Sequence, residues 1–206
     1  MIRSRFRVAG WLAFLWVAAA TTVAAEALDP QALVRRAADR VLGEVLANKK
    51  DLNANPGRIY DLVQRHVVPY FDFRQMTQSA LGRHWRTATE AQRSALTREF
   101  QEMLIRTYGV ALLNYSGQQI EYLPVRAGRA DDDVTVQTKV ADKGAPPIPI
   151  DYRLSRASGD WKVLDVIIDG VSLVSNYRTS FAEEVQRFGL DGLIQKLADR
   201  NKRVGG

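Results

Sequence analysis

The hydrophobic period of this chain changes twice along its 206 residues, and this change limits the folds that it can adopt. Up to Gly117 apolar residues recur every three or four positions, as in amphipathic helices, and this spacing returns from Ser172 onward. Between these points four segments alternate, which predicts antiparallel strands at 120–125, 134–140, 148–154 and 161–168. The order predicts one α+β domain, with helices packed on a four-stranded antiparallel sheet.

Capping residues predict where the helices begin and end. Asp29 before Pro30 predicts a first helix that ends near Asn48, and Asn55 before Pro56 predicts a second that ends before Pro69. The other predicted helices are 72–81, closed by Gly82, a long helix from a capping box of Thr87 and Glu90 to about Tyr115, and 172–188 and 191–200, separated by Gly189.

The first residues have the pattern of a secretory signal peptide. Arginines at positions 3, 5 and 7 precede an uncharged apolar run over 8–20, and small residues follow at 23–25. The run is about 13 residues long, short of the roughly 20 that a membrane-spanning helix needs. We therefore expect residues 1–25 to be removed before Glu26, with cleavage after Ala27 or an uncleaved anchor as alternatives. Residues 26–206 then form one domain.

Charge and composition argue against several functional classes. Residues 26–206 carry 26 basic and 23 acidic side chains, a formal charge of +3 that is too small and dispersed for a nucleic-acid-binding surface. The absence of cysteine excludes disulfides and cysteine-ligated metals, and His66 and His84 belong to no carboxylate–histidine cluster with ligand spacing. The sequence predicts neither a nucleic-acid site nor a metal site.

Two short patterns could carry enzyme chemistry. Ser172 follows Gly170, but Val174 stands where a hydrolase nucleophile elbow needs glycine, so Ser172 is interpreted as a helix cap. Asp165 and Asp169 lie four residues apart at the end of the last predicted strand, where alternation puts both on one face. Acid–base catalysis requires such a pair. An enzyme that uses Asp165 or Asp169 with a tyrosine in a small pocket is therefore an alternative.

Apolar side chains are abundant on the long predicted helix and just after the last strand. They include Phe100, Met103, Leu104, Tyr108 and Leu112 on the helix and Val171, Leu173, Val174 and Tyr177 after the strand. A stripe of this kind is ordinarily part of a packed core.

The segment from Trp161 to Arg178, with Phe181 after it, resembles the MlaC (toluene-tolerance auxiliary) family of periplasmic phospholipid-binding proteins. Further matches are Asn55–Pro56, 69–73, Leu81–Gly82, Trp85, Ala88, Gln92–Arg93, Phe100, Thr107–Tyr108, Leu112 and Tyr115, so the resemblance covers 29–200. It implies a curved antiparallel sheet and helices, similar to nuclear-transport-factor-like cones with a helical addition, that enclose an apolar pocket for acyl chains.

The resemblance also implies a function without catalysis. A periplasmic carrier of this kind binds phospholipid as its ligand, has no other cofactor and is expected to be a monomer. Its implied partners are an inner-membrane ABC transporter complex with a membrane-associated substrate-binding subunit and an outer-membrane lipoprotein–porin complex. Lipid carried between them maintains outer-membrane asymmetry. A hopanoid or another lipid is an alternative ligand, and a structural envelope adaptor is an alternative function.

On this resemblance, the apolar stripe is assigned to the pocket. The expected lipid-binding side chains are Tyr70, Phe73, Met76, Phe100, Leu104, Tyr108, Leu112, Val136, Tyr152, Val163, Val171, Val174 and Tyr177. Phe100, Leu104 and Tyr108 are expected to face the sheet across the acyl chains, opposite Val136, Tyr152 and Val163.

Overall fold

The structure is a computed structural model and describes residues 29–127, 132–142, 144–156 and 159–203. The predicted signal peptide, residues 1–25, lies outside the described residues and stays a prediction. In the described chain helices come first and last, with the strands between them, so the predicted α+β architecture is confirmed.

The elements of the described chain are as follows. The helices are α1 Pro30–Ala47, α2 Lys49–Ala54, α3 Arg58–His66, α4 Phe73–Leu81, α5 His84–Thr87, α6 Glu90–Gly109 and α7 Leu173–Arg203, with 3₁₀ turns at Val68–Tyr70 and Val110–Asn114. The strands are β1 Gln119–Tyr122, β2 Arg126–Ala127, β3 Asp133–Ala141, β4 Ile148–Ser155, β5 Lys162–Ile168 and β6 Val171–Ser172. Gly189, with φ 70°, interrupts α7 as predicted, because glycine tolerates left-handed backbone.

Two helices begin where the sequence predicts, at Asp29 and at Asp72. The Asp29 carboxylate accepts a hydrogen bond from the Ala32 N–H at 3.1 Å at the start of α1. The Asp72 carboxylate accepts one from the Gln75 N–H at 2.9 Å at the start of α4. Gly82, with φ 53°, ends α4 as predicted.

The long helix α6 begins later than the sequence predicts. The predicted capping box of Thr87 and Glu90 is wrong. Thr89 is the cap: its hydroxyl accepts from the Gln92 N–H at 3.2 Å, and the Gln92 side chain accepts from the Thr89 N–H at 3.0 Å. Thr87 instead closes α5, where its hydroxyl donates to the His84 carbonyl at 3.0 Å. Because α5 occupies the residues through Thr87, α6 begins later.

The predicted start of the second helix, at Asn55, is too early. The Asn55 amide donates to Asp51 of α2 at 3.4 Å, and α2 is a short helix that the sequence pattern does not predict. Helix α3 begins at Arg58, after the turn that contains Pro56, and ends at His66, before Pro69 as predicted.

The described strands form one antiparallel sheet. Its order is β1, β3, β4, β5, β6, with β2 beside β1 on the same edge of β3, so the four predicted strands are neighbours. The predicted first strand, 120–125, is too long: β1 ends at Tyr122, and pairing with β3 resumes only in β2, after Pro124, which has no N–H to donate.

The register gives this sheet one apolar and one polar face. Directly paired residues share a face, and residues two apart on a strand do so as well. The face that we call the inner face carries Ile120, Tyr122, Val134, Val136, Thr138, Val140, Ile148, Ile150, Tyr152, Leu154, Val163, Val166, Ile168 and Val171. The outer face carries polar residues such as Thr135, Gln137, Lys139 and Arg153.

The helices form a layer beside the inner face. Helices α4, α6 and α7 pack on one another, and α1 packs on the sheet through Leu33 and Val34. The segment before α4 ties this layer to β5, because Phe71 pairs with Val163 and the Asp72 N–H donates to the Val163 carbonyl at 3.0 Å. The inner face and the helical layer therefore meet along β5.

Candidate functional site

Asp165 and Asp169 do not form the carboxylate pair that acid–base catalysis would need. Asp165 is 2% exposed and accepts hydrogen bonds from the Ser172 hydroxyl at 2.6 Å and the Val174 N–H at 3.1 Å. Asp169 is exposed in a tight turn, with φ 49°. Ser172 is a helix cap as predicted, since its hydroxyl oxygen accepts from the Ser175 N–H at 3.0 Å. Asp165 and Ser172 thus build the start of α7.

The first of two apolar groups fills the helical layer, and we call it the helical cluster. Phe100 at its centre is fully buried and meets Tyr177 and Phe181 edge to face, with ring centroids 5.4 and 5.2 Å apart. The buried members of the cluster include six predicted lipid-binding side chains: Phe73, Met76, Phe100, Leu104, Val174 and Tyr177. Because these side chains are buried against one another, the helical cluster has the character of a closed core.

The second group covers the inner face, and we call it the sheet cluster. Val136 and Val163, both predicted to bind lipid, are buried at its centre with Leu154. The partly buried side chains around them are Tyr70, Phe71, Tyr108, Tyr122, Val134, Ile150, Tyr152 and Ile168. An apolar wall that keeps accessible surface is the kind of surface that receives an apolar ligand.

Tyr152 lies deep in the protein and still keeps accessible surface. Burial is the largest cause that raises the pKa of Tyr152 to about 12, with a contribution from Tyr122 and an opposing hydrogen bond with Thr138. By exposed area, however, the Tyr152 side chain is only partly buried. Tyr152 therefore keeps accessible surface within apolar surroundings, and we take the inner face around it as the centre of the candidate site.

Tyr108 and Phe71 mark the boundary between the two clusters, because each packs against both. Burial is the main cause that raises the pKa of Tyr108 to about 12, followed by its hydrogen bond with Tyr177. The Tyr108 phenol is therefore neutral at physiological pH, as is the Tyr152 phenol. The candidate site has uncharged side chains on its helical and sheet sides.

We expect the protein to lose stability between about pH 10 and about pH 12. The folded state keeps the Tyr108 and Tyr152 phenols protonated up to a pKa of about 12, whereas unfolded tyrosine ionises near pH 10. The folded state binds more protons in this window, so the free energy of unfolding falls as the pH rises. Urea unfolding at roughly pH 9 and pH 11.5 should show a smaller loss for Tyr152→Phe than for wild type. Equal losses would contradict this assignment.

Two other predicted residues lie elsewhere. Leu112 packs in a third apolar group, with residues of α1 and α3. Val171 is 56% exposed at the end of the inner face, which also carries Ile148, 51% exposed. The apolar inner face thus continues from the buried Val136 to the protein surface.

Tyr122, Ile150 and Ile168 also belong to the sheet cluster, although they are not among the predicted lipid-binding residues. The signal for two of them is in the strand alternation. Ile150 lies two residues before Tyr152 on β4, and it pairs with Ile168 across β5. These side chains share one face of the sheet with Tyr152, so a wall that contains Tyr152 also contains Ile150 and Ile168.

The described ranges contain no group of histidine, cysteine, aspartate and glutamate side chains that could hold a metal ion. In the same ranges no helix is both long and apolar enough to cross a membrane.

Most of the chain matches a known protein family. The family model described as MlaC protein matches residues 35–199, which span the chain from within α1 to within α7. The chain belongs to the MlaC family. This confirms the resemblance that the segment from Trp161 to Arg178 suggests.

The chain is similar to other MlaC-type proteins over most of its length. It is 33% identical over 173 residues to the toluene tolerance protein ttg2D of Pseudomonas putida, covering 82% of this chain and 78% of that protein. It is 26% identical over 180 residues to the intermembrane phospholipid transport system binding protein MlaC of Haemophilus influenzae, covering 86% and 84%. A phospholipid-binding protein from Ralstonia solanacearum, solved in complex with a phospholipid, has a TM-score of 0.79 at 37% identity and covers 87% of this chain and 100% of its own.

Proposed function

We propose that this chain is a non-enzymatic phospholipid carrier that moves lipid through the periplasm between the inner and outer membranes. The observation that carries the proposal is its 37% identity and TM-score of 0.79 to a protein solved with a bound phospholipid. The name of the Haemophilus influenzae relative, an intermembrane phospholipid transport protein, agrees with it. A carrier needs no acid–base pair, and Asp165 is already engaged as a helix cap.

The work of such a carrier is to keep acyl chains away from water. Each buried methylene contributes roughly 0.8 kcal/mol, so two acyl chains represent on the order of 20 kcal/mol of transfer free energy. The surface that shields them must be long, apolar and uncharged. The inner face has these properties, with Val136 buried at its centre, Tyr152 partly accessible and Ile148 at its exposed end.

We infer that the acyl chains lie along the inner face, at its boundary with the helical layer. Of the predicted lipid-binding residues, Tyr70, Tyr108 and Tyr152 keep accessible surface and then line the chains, whereas Val136 and Val163 are buried beneath them. The support for this is that the sheet cluster keeps accessible apolar surface. The six predicted residues of the helical cluster then belong to the packed core beside this surface and do not line the chains.

Purified protein is expected to carry phospholipid in near-stoichiometric amount. The lipid survives purification because leaving the protein exposes its acyl chains to water. Extraction with organic solvent, followed by mass spectrometry and a phosphate assay, measures this directly. A hopanoid in place of phospholipid would support the alternative ligand, and an extract without lipid would contradict the carrier function.

Export should remove the first 25 residues. Val23 and Ala25 are small residues at the positions three and one before the proposed cut, and the charged start and short apolar run precede them. N-terminal sequencing of protein from the periplasmic fraction should begin at Glu26. A chain that still begins at Met1 would contradict this.

The partners of such a carrier are an inner-membrane ABC transporter complex, with its membrane-associated substrate-binding subunit, and an outer-membrane lipoprotein–porin complex. Family membership supports them. A monomeric carrier suits this role, because each complex must reach the same lipid in turn.

A further inference from the structure

The inner face of the sheet is exposed at one end and enclosed at the other. Along β4, Ile148 is exposed, Tyr152 is partly buried and Leu154 is fully buried. Strand β5 runs in the opposite direction and shows the same gradient, because Ile168 is partly buried and Val163 is buried. We call the end at Ile148 the open end and the end at Leu154 the closed end.

Contacts from outside the sheet hold the closed end in place. The Lys162 ammonium at the start of β5 donates a hydrogen bond to the Pro69 carbonyl of the segment before α4 at 2.8 Å. The Arg156 guanidinium, just after β4, donates to the Asp132 carboxylate, just before β3, at 2.8 Å. Three neighbouring strands are therefore tied together at this end of the inner face.

Trp161 is the largest side chain at the closed end. It directly precedes β5, two residues before Val163, so the alternation of the strand puts it on the inner face. It packs in the sheet cluster with 8% of its surface exposed. The Arg156 guanidinium carbon lies 5.3 Å from the centroid of the Trp161 ring. The indole therefore forms a wall across the closed end.

The distance from the open end to this wall is close to the length of one acyl chain. A strand rises about 3.3 Å per residue, so Ile148 and Leu154 lie about 20 Å apart along β4. One acyl chain spans about half of the roughly 30 Å hydrocarbon core of a bilayer. A chain that begins at the open end therefore brings its terminal methyl group near Trp161.

We propose that Trp161 sets an upper limit on the length of the acyl chains that this protein carries, because it closes the far end of the inner face. This inference rests on the proposed carrier function. Up to the limit, an added methylene is buried in the protein as it is in a membrane, so chain length has little effect on uptake. Beyond the limit, each added methylene stays in water at the open end, which weakens uptake from a membrane roughly fourfold.

The experiment compares phospholipids that differ only in chain length. Purified protein is incubated with an excess of fluid dioleoyl phosphatidylglycerol vesicles that contain equal traces of saturated phosphatidylglycerols, from dilauroyl to dibehenoyl. The protein is then separated and extracted, and mass spectrometry gives the uptake of each lipid relative to its amount in the vesicles. Wild-type uptake should stay level for the shorter chains and then fall roughly fourfold for each further methylene.

Two substitutions at the closed end should move this limit in opposite directions. Trp161→Phe leaves room for about two chain carbons, so the fall should begin at longer chains. Val134 lies on the inner face, is partly buried and pairs with Leu154. Val134→Phe adds bulk at the same end, so the fall should begin at shorter chains. A general loss of stability would not shift the limit both ways.

Trp85→Phe is the matched control. Trp85 is 7% exposed and lies 5.3 Å from the Arg93 guanidinium carbon, but it packs in the helical cluster. This variant should keep the wild-type limit. A limit that Trp85→Phe moves as far as Trp161→Phe does would overturn the role of Trp161.

The remaining outcomes separate the chain-length limit from the carrier function. If wild-type uptake stays level up to dibehenoyl, or if the closed-end variants fold and keep the wild-type limit, the limit set by Trp161 is overturned while the carrier function stands. Should Trp161→Phe fail to fold, the shift in Val134→Phe decides. If wild type takes up no phospholipid at all, including the dioleoyl lipid, the carrier function and the inference built on it both fail.

Discussion

Replacing Leu104 by aspartate is expected to unfold the protein. Leu104 lies on α6 within the helical cluster and is 6% exposed. An ionised carboxylate in such apolar surroundings costs several kcal/mol when nothing pairs with it. That cost is a large share of the roughly 5–15 kcal/mol that stabilises a folded domain. Circular dichroism of Leu104→Asp at neutral pH should therefore show a loss of native signal, or a urea midpoint far below that of wild type.

Leu104→Met is the matched control for this change. A volume-conserving apolar substitution usually costs less than about 1.5 kcal/mol, so Leu104→Met should keep both its fold and its phospholipid. A Leu104→Asp protein that stays folded and has lost its lipid would show that water reaches this position. Leu104 would then line the acyl chains, as the sequence predicts, and the helical cluster would be part of the pocket.

Helix ends can be predicted from sequence where a single nearby residue decides them. Asp29 and Asp72 each accept a bond from an N–H three residues on, and this short-range property is visible in the sequence. The start of α6 is different, because Thr87 and Thr89 each have a suitable capping partner three residues later. The helix α5 takes the first threonine, and its Trp85 packs in the helical cluster, a contact that the local sequence does not reveal.

The candidate site shows a second limit of the sequence pattern. Apolar spacing predicts which side of α6 is buried, but it carries no information about what covers that side. Phe100 and Tyr108 lie on one stripe, yet Phe100 is enclosed by α7 whereas Tyr108 lies at the boundary with the sheet. The difference arises from elements distant along the chain. Tertiary packing alone therefore separates closed core from accessible wall.

The opposite outcome is expected for a carboxylate on that wall: Ile150→Asp should fold and carry no phospholipid. Ile150 is partly buried on the inner face, two residues from the exposed Ile148, so water can reach a charge there in the lipid-free protein. The cost in stability should be about 1–2 kcal/mol. Against bound acyl chains the same charge is deprived of water, and a penalty of roughly 3 kcal/mol already weakens binding more than a hundredfold.

Two controls distinguish the loss of a lipid-binding surface from a general disruption of the sheet. Ile150→Val keeps the position apolar and should retain phospholipid. Thr135→Asp puts the same charge on the outer face, where Thr135 pairs with Arg126 and Arg153, and it should also retain phospholipid. Urea unfolding and lipid extraction are measured on all three variants and wild type. A folded Ile150→Asp protein that binds as much phospholipid as wild type would show that the acyl chains do not lie on the inner face. If Thr135→Asp loses lipid equally, the loss follows from the sheet as a whole, because only Ile150 faces the proposed chains.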